Sequence, residues 1–320
     1  MGNTVYLLGG QGSQYFGMAS ALYQESAEFR RSMDELDAVC SSRFGHSVTD
    51  YLYDPARTLS DPCDDLARSN AAIFMIEYSL SELLRSEGIT PDVLVGSSLG
   101  EFSAMAIAGY VPAETALGFV VEMAHLLKDS MKPGGMVAVL GDPRLYEELP
   151  ALHQHTEMAS INHANHFVLS GEAHGLRIAT DLLKDRGLIT VTLPVRYAFH
   201  SSALDGLRER IVEAAASLVF DATPTVDTAR PLLISSTTAD AVKGWQAEDC
   251  WHTLRKPIAF TEALSAVPGA TEANFIDLTP SSTLAAIMKN SHPALRTYPV
   301  ITPFGTEPAR LATVRADLLS

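Results

Sequence analysis

Positive charge is scarce in this 320-residue chain: 23 lysines and arginines stand against 38 aspartates and glutamates, a formal net charge of −15. Binding phosphate backbones needs a basic surface, so nucleic acid is not expected as a partner. Cysteine is nearly absent, and Cys40, Cys63 and Cys250 are scattered and odd in number. That pattern argues against a disulfide framework and for a reduced, cytoplasmic protein. No run approaches the roughly 18 to 20 apolar residues of a membrane span, and no basic region followed by an apolar one opens the chain as a signal peptide would. Gly2 follows the initiator, but Tyr6 occupies the place where myristoylation wants Ser or Thr. Repeats and low-complexity segments are missing. Gly10-Gln-Gly-Ser-Gln-Tyr15 lacks the third glycine of a dinucleotide fingerprint, and the Gly-Lys-Ser/Thr of a phosphate loop occurs nowhere. His153, His155, His163 and His166 cluster without cysteines or carboxylates at metal-site spacing, so no metal is expected. What is plentiful is apolar side chain: 47% of the residues, enough for a large core in one big domain or two lobes.

The pattern along the chain is alternating strand and helix. Residues 5–8 read as a strand, 19–36 as largely helix, 69–87 as a long apolar helix, 93–95 as a strand, and 113–129 as another helix. Pro133-Gly-Gly135 punctuates the chain. After it, residues 136–140, 166–170 and 190–193 look like short strands, with a helix over 176–186. This block of about sixty residues has strand and helix content of its own.

Between the strand at 93–95 and a helix-forming stretch from Leu99 lies Val95-Gly-Ser-Ser-Leu-Gly-Glu101, a Gly-x-Ser-x-Gly element. A serine on a sharp strand-to-helix turn has its hydroxyl lifted clear of the sheet, so Ser98 is a nucleophile candidate. The helix N-terminus beside it offers free N–H groups to a developing oxyanion. A hydroxyl needs a base. Of ten histidines, His200 stands out, in Ala198-Phe-His-Ser201. A rival arrangement in the order serine, acid, histidine is Ser98, Asp277 and His292. That rival leaves Gln11–Gln14 and Ala198–Ser201 unexplained.

Gln11-Gly-Ser-Gln14, Gly96-x-Ser-x-Gly100-Glu101 and Ala198-Phe-His-Ser201, in this order, together resemble the acyltransferase family of malonyl-CoA:acyl-carrier-protein transacylases and polyketide synthase acyltransferase domains. Asn162, Ser170-Gly171, Trp251 and Pro257-Ile-Ala-Phe260 add to the likeness, which spans nearly the whole chain. The resemblance implies an α/β fold: a large α/β-hydrolase-like lobe with a parallel sheet, from residues 1–132 and 195–320, and an inserted ferredoxin-like subdomain at 133–194. It implies Ser98 as nucleophile and His200 as base. It also implies an oxyanion hole from the N–H groups of Gln11 and Leu99, and a backbone carbonyl at Ser236 to orient the histidine. No bound cofactor is implied; the acyl group arrives on the phosphopantetheine of an acyl carrier protein, or on CoA. Because carrier proteins are usually acidic, docking one would need a basic patch such as Arg208, Arg210, Arg255 or Lys256.

Departures from the family bear on the substrate. Malonyl enzymes usually hold the free carboxylate with an arginine in the helix after the nucleophile, because a guanidinium binds it bidentately. Here that helix reads Glu122-Met-Ala-His-Leu-Leu-Lys128, with Ala124 at the expected place and no arginine. Ser97 stands where His is common, Asn70-Ala71 where Gln-Pro is usual and His166 near a usual Gln, whereas Phe199 keeps the malonyl-type aromatic. With Asn162, these residues form the expected substrate pocket. The sequence therefore leads to the expectation of a discrete, trans-acting enzyme that takes a non-malonyl acyl group from a carrier protein. Discharge to water, as editing of stalled acyl groups, is slightly favoured. Transfer to another carrier protein, ordinary malonyl transacylation, a Ser-Asp-His esterase and a non-catalytic docking protein are the alternatives.

Overall fold

A computed structural model describes residues 2–221 and 230–319. The strands, in chain order, are β1 (Thr4–Leu8), β2 (Val93–Gly96), β3 (Gly134–Leu140), β4 (Glu157–His163), β5 (His166–Glu172), β6 (Ile189–Thr192), β7 (Phe220–Asp221), β8 (Leu232–Ser235), β9 (Asp240–Ala241), β10 (Gly244–Trp245), β11 (Asn274–Asp277) and β12 (Arg296–Pro299). Six of them form one sheet in the order β12-β11-β1-β2-β8-β9, parallel throughout except for β9. The central strands are short apolar runs such as Val-Leu-Val in β2, buried on both faces, as parallel strands between helical layers must be. One face carries the larger core, including Tyr6, Leu8, Leu94 and the helix Leu66–Ser86. The other face carries Val5, Leu7, Val95, Phe275 and Met288.

β3 to β6 form a second sheet, antiparallel, in the order β4-β5-β3-β6. Helical turns lie between β3 and β4, and the helix Ala173–Lys184 between β5 and β6. This is the β-α-β-β-α-β order of a ferredoxin-like unit, with its own small core of Val139, Phe167, Leu169 and Leu183. Among the described residues no helix is long and apolar enough to cross a membrane.

Two sequence expectations need correction. The helix expected over 19–36 is two helices, Ser20–Glu25 and Ala27–Phe44, because the Ser26 hydroxyl accepts from the Phe29 N–H at 3.2 Å and caps a new start. β4 was not anticipated. Its register slips twice against β5, between Met158 and Ser160 and between Ile161 and His163. Such bulges destroy the two-residue alternation by which a strand is recognised.

At the C-terminal edge of the parallel sheet the chain turns most tightly after β2. A Cβ placed on Gly100 would lie 2.2 Å from the Leu8 carbonyl oxygen, so β1 and the helix Gly100–Ile107 meet backbone to backbone there. Gly100→Ala is therefore expected to cost about 3 kcal/mol or more, because the obstacle is main chain. A urea midpoint within experimental error of the wild type would contradict that.

Candidate active site

The strand ends bring the expected residues together. Ser98 follows β2 with φ of 54° and His200 has φ of 57°. A non-glycine residue in this left-handed region carries roughly 1–2 kcal/mol of strain. Both residues are held from several sides. The Ser97 N–H donates to the Leu8 carbonyl at 2.8 Å, anchoring the serine turn to β1. The His200 N–H donates to the Leu254 carbonyl at 2.9 Å, and the Ser170 hydroxyl on β5 donates to the Phe199 carbonyl. The result is a 2.9 Å hydrogen bond between Ser98 Oγ and His200 Nε2. On its far side His200 Nδ1 lies 2.7 Å from the Lys256 carbonyl oxygen, which fixes the neutral ring with its proton on Nδ1 and a free lone pair toward Ser98. Burial pushes the imidazole down to about 4, so it is an unprotonated base at neutral pH.

The orienting carbonyl is thus that of Lys256 and not that of Ser236. Lys256 is the C-cap of the helix Ala247–Arg255 and precedes Pro257, so it leaves helical geometry and the helix end keeps unclaimed carbonyls. That signal was present in the sequence. The Ser236 carbonyl instead accepts from the Ala259 N–H at 2.8 Å, and its hydroxyl faces Glu101.

Opposite the serine, the Gly9–Gln14 loop leaves β1. A Cβ on Gly10 would sit 2.9 Å from the Leu99 Cβ, so the two turns abut. Beside that contact are the N–H groups of Gln11 and Leu99, and neither has a hydrogen-bond partner among the described residues. Two unengaged donors flanking a serine suit an oxyanion. The Gly9–Gln14 loop is tied down by Glu77, whose Oε1 accepts from the Gly9 N–H at 2.6 Å, and by Gln14, which donates to the Pro194 carbonyl at 2.8 Å.

The surrounding cavity encloses about 1180 Å³ counted out to its open mouth. Asn70, Ser97, Asn162 and Phe199 line it, while His166 stands behind Asn162, with Nδ1 3.4 Å from the amide nitrogen. Ala124 does not line it. The helix Ala113–Ser130 presents Phe119, Val120, Met123 and Leu127 to the cavity, and Ala124 is wholly buried between Val120 and Leu127, one turn from each. None of the lining residues is Lys, Arg, Asp or Glu.

The rival triad is not assembled. Asp277 accepts from the Thr279 N–H and hydroxyl and from the Ala285 N–H, at 2.6–2.8 Å, capping the start of the helix Thr283–Ser291. His292 sits at the other end of that helix, about 13 Å away by helical rise, with Nδ1 on the Ser291 hydroxyl. Two of the four residues of the expected basic patch are neutralised: Arg208 pairs with Glu248, and Arg255 with Asp205 and Glu157. Arg210 donates to the Ser130 hydroxyl, and Lys256 is exposed.

The family model of the acyl transferase domain matches residues 5–306. The chain belongs to that family. It is 40% identical over 319 residues to the polyketide biosynthesis acyltransferase homolog BaeD of Bacillus velezensis, covering 99% of this chain and 97% of that protein. It is also 40% identical to the homolog PksD of Bacillus subtilis, covering 97% and 95%. Among solved structures, a loading acyltransferase from the avermectin modular polyketide synthase superposes with a TM-score of 0.84 at 22% identity, covering 99% of this chain and all of that one, and so shares the fold.

Three buried acids stand at the strand ends of this acyl transferase. Burial pushes the carboxyls of Glu77 up to about 8, Glu101 to about 7 and Asp277 to about 6. Each holds more protons folded than unfolded, so the stability it confers is full below its unfolded value and is lost as pH rises through the folded one. His200 has the opposite sign: its contribution is complete above about 6.5 and is lost as pH falls toward 4. The two trends oppose each other below pH 6.5, and above it only Glu101 and Glu77 act. Unfolding free energy in urea is expected to fall between pH 6.5 and 8. Glu77→Gln should flatten that decline, and an equally steep decline in the variant would refute the assignment.

Proposed function

We propose that this acyl transferase acts in polyketide biosynthesis as an editing hydrolase, clearing non-malonyl acyl groups from the phosphopantetheine of an acyl carrier protein. The observation that carries this is the cavity wall beside Ser98. It is apolar along Phe119, Val120, Met123 and Leu127, and among the described residues no lysine or arginine lines it to neutralise a malonyl carboxylate. Burying an unpaired carboxylate there costs several kcal/mol, whereas a saturated acyl chain gains from the same surface.

Ser98 Oγ attacks the thioester carbonyl as its proton passes to His200 Nε2, and the N–H groups of Gln11 and Leu99 receive the oxyanion. Collapse breaks the C–S bond. The thiolate leaves with the proton from His200, and the acyl group remains as an ester on Ser98. Water then attacks the ester, giving a proton to His200. The C–O bond to Ser98 breaks, the proton returns to Oγ, and a carboxylic acid is released. Asn70 and Ser97 put polar side chains at the same cavity, which favours water over a dry acyl pocket as the site of discharge. The small subdomain at 133–194 is proposed to close the cleft opposite the large lobe, contributing Met136, Ser160, Asn162 and Val168 to its wall.

Intact-protein mass spectrometry tests the proposal, with acetyl-, butyryl- and malonyl-loaded carrier proteins incubated with enzyme, with and without an unloaded acceptor. Loss of acetyl and butyryl from the donor with no gain on the acceptor is the expected result. Arrival on the acceptor would establish transfer in place of hydrolysis, and preference for malonyl would overturn the reading of the pocket.

A further inference from the structure

Glu101 lies three residues past Ser98, is 1% exposed, and does not line the cavity. Its carboxylate collects hydrogen bonds from two separate segments. From the end of β8 come the Ser235 hydroxyl at 2.8 Å, the Ser236 hydroxyl at 3.3 Å, and the Thr237 N–H and hydroxyl at 3.0 and 2.8 Å. From the helix Ala247–Arg255 comes the Thr253 hydroxyl at 3.3 Å.

Both segments build the seat of His200. The residue after Thr253 is Leu254, whose carbonyl takes the His200 N–H. Two residues further on, the Lys256 carbonyl faces Nδ1. The Ser236 carbonyl holds the Ala259 N–H, so the β8 end grips the chain just beyond Lys256 as the Thr253 hydroxyl grips it just before. One side chain on the nucleophile helix therefore braces the turn that aims the base. A buried carboxylate is an expensive way to fill space, since an apolar residue of similar size is often neutral or better for stability. We infer that Glu101 is a positioning residue, which holds the Lys256 carbonyl against His200 Nδ1 and so keeps Nε2 aimed at Ser98.

The inference rests on the proposed Ser98–His200 chemistry. It predicts a loss in the rate of acylation without a loss of binding, because Glu101 touches no part of the cavity. A misaimed base costs up to about 100-fold in rate. Single-turnover acylation of Ser98 from butyryl-loaded carrier protein separates the two. Glu101→Ala is expected to acylate about 30-fold more slowly with half-saturation within about twofold of wild type. Glu101→Gln, which keeps an acceptor for the Thr237 N–H while the hydroxyls rotate to suit its amide, should recover most of the rate. Thr253→Val removes the hydroxyl that joins the helix Ala247–Arg255 to Glu101 and to the Thr237 hydroxyl and keeps the side-chain volume, so it serves if Glu101→Ala fails to fold. It should slow acylation about tenfold, the equivalent of one lost hydrogen bond. Acylation at the wild-type rate by Glu101→Ala or by Thr253→Val overturns the inference alone. A wild type that forms no acyl-Ser98 overturns the catalytic proposal and this inference with it.

Discussion

Ser98→Ala is expected to form no acyl-enzyme and to lower turnover of acyl-loaded carrier protein by roughly 10⁴- to 10⁶-fold, and His200→Ala to fall in the same range. The two losses should not add. Ser98 Oγ and His200 Nε2 share one 2.9 Å hydrogen bond, and removing either end removes the same proton transfer. The residual activity expected in both is what the unengaged N–H groups of Gln11 and Leu99 supply alone. A fluorophosphonate probe distinguishes the variants: Ser98→Ala carries nothing to label, while His200→Ala keeps the hydroxyl and labels far more slowly. His292→Ala should stay within about twofold of wild type, since that side chain faces only Ser291. Retained turnover in His200→Ala, or collapse in His292→Ala, would reinstate the serine, acid, histidine order.

Met123→Arg should turn the pocket toward malonyl. Met123 lines the cavity from the helix Ala113–Ser130 and is 3% exposed. A guanidinium there would make charge-assisted hydrogen bonds to the malonyl carboxylate worth about 1.5–3 kcal/mol each. One such bond is a factor of roughly 10 to 150 in the ratio of malonyl to butyryl acylation. The same guanidinium without a malonyl partner is an unpaired charge in an apolar wall, so butyryl should weaken and the unliganded variant should melt earlier. Ala124→Arg is the instructive control. Ala124 has no exposure and does not itself line the cavity, but it lies one turn from Val120 and Leu127, which do, so an arginine there tests whether that position also reaches the substrate. The test is acylation by paired malonyl- and butyryl-loaded carrier proteins. If Ala124→Arg and not Met123→Arg shifted the ratio, the sequence-based placement of the missing arginine would be restored.

The helix Ala113–Ser130 shows where local sequence stops short of the site. The absence of arginine from that helix was plain, and so was its consequence for a carboxylate substrate. Which of its side chains meet the cavity depends on the rotation of the helix against the neighbouring helices, which spacing along the chain cannot resolve to one residue. The histidine's partner is a similar case. A carbonyl in place of an acid was anticipated, and the Pro257 that frees the Lys256 carbonyl is visible in the sequence, but not which turn that carbonyl meets. Only the approach of a helix end from residues 247–255 to a turn at residue 200 decided that it is Lys256.

Local chemistry reached furthest where a turn itself makes the function. Gly-x-Ser-x-Gly after an apolar strand contains its own geometry: the glycines allow the close approach to β1, and the strand-to-helix turn lifts Ser98, all within seven residues. The apolar runs at 5–8 and 93–95 specified strands, because composition and short-range periodicity need no partner to be read. What only the tertiary structure decided is the set of long-range meetings: Ser98 with His200 across 102 positions, Glu77 with Gly9 across 68, and Glu101 with Thr253 across 152. Each is a short polar contact between segments brought together by burial of the sheet's two faces. The driving force there is non-directional, so the pattern of apolar residues determines that such segments will meet and leaves to the packed fold which atoms do so.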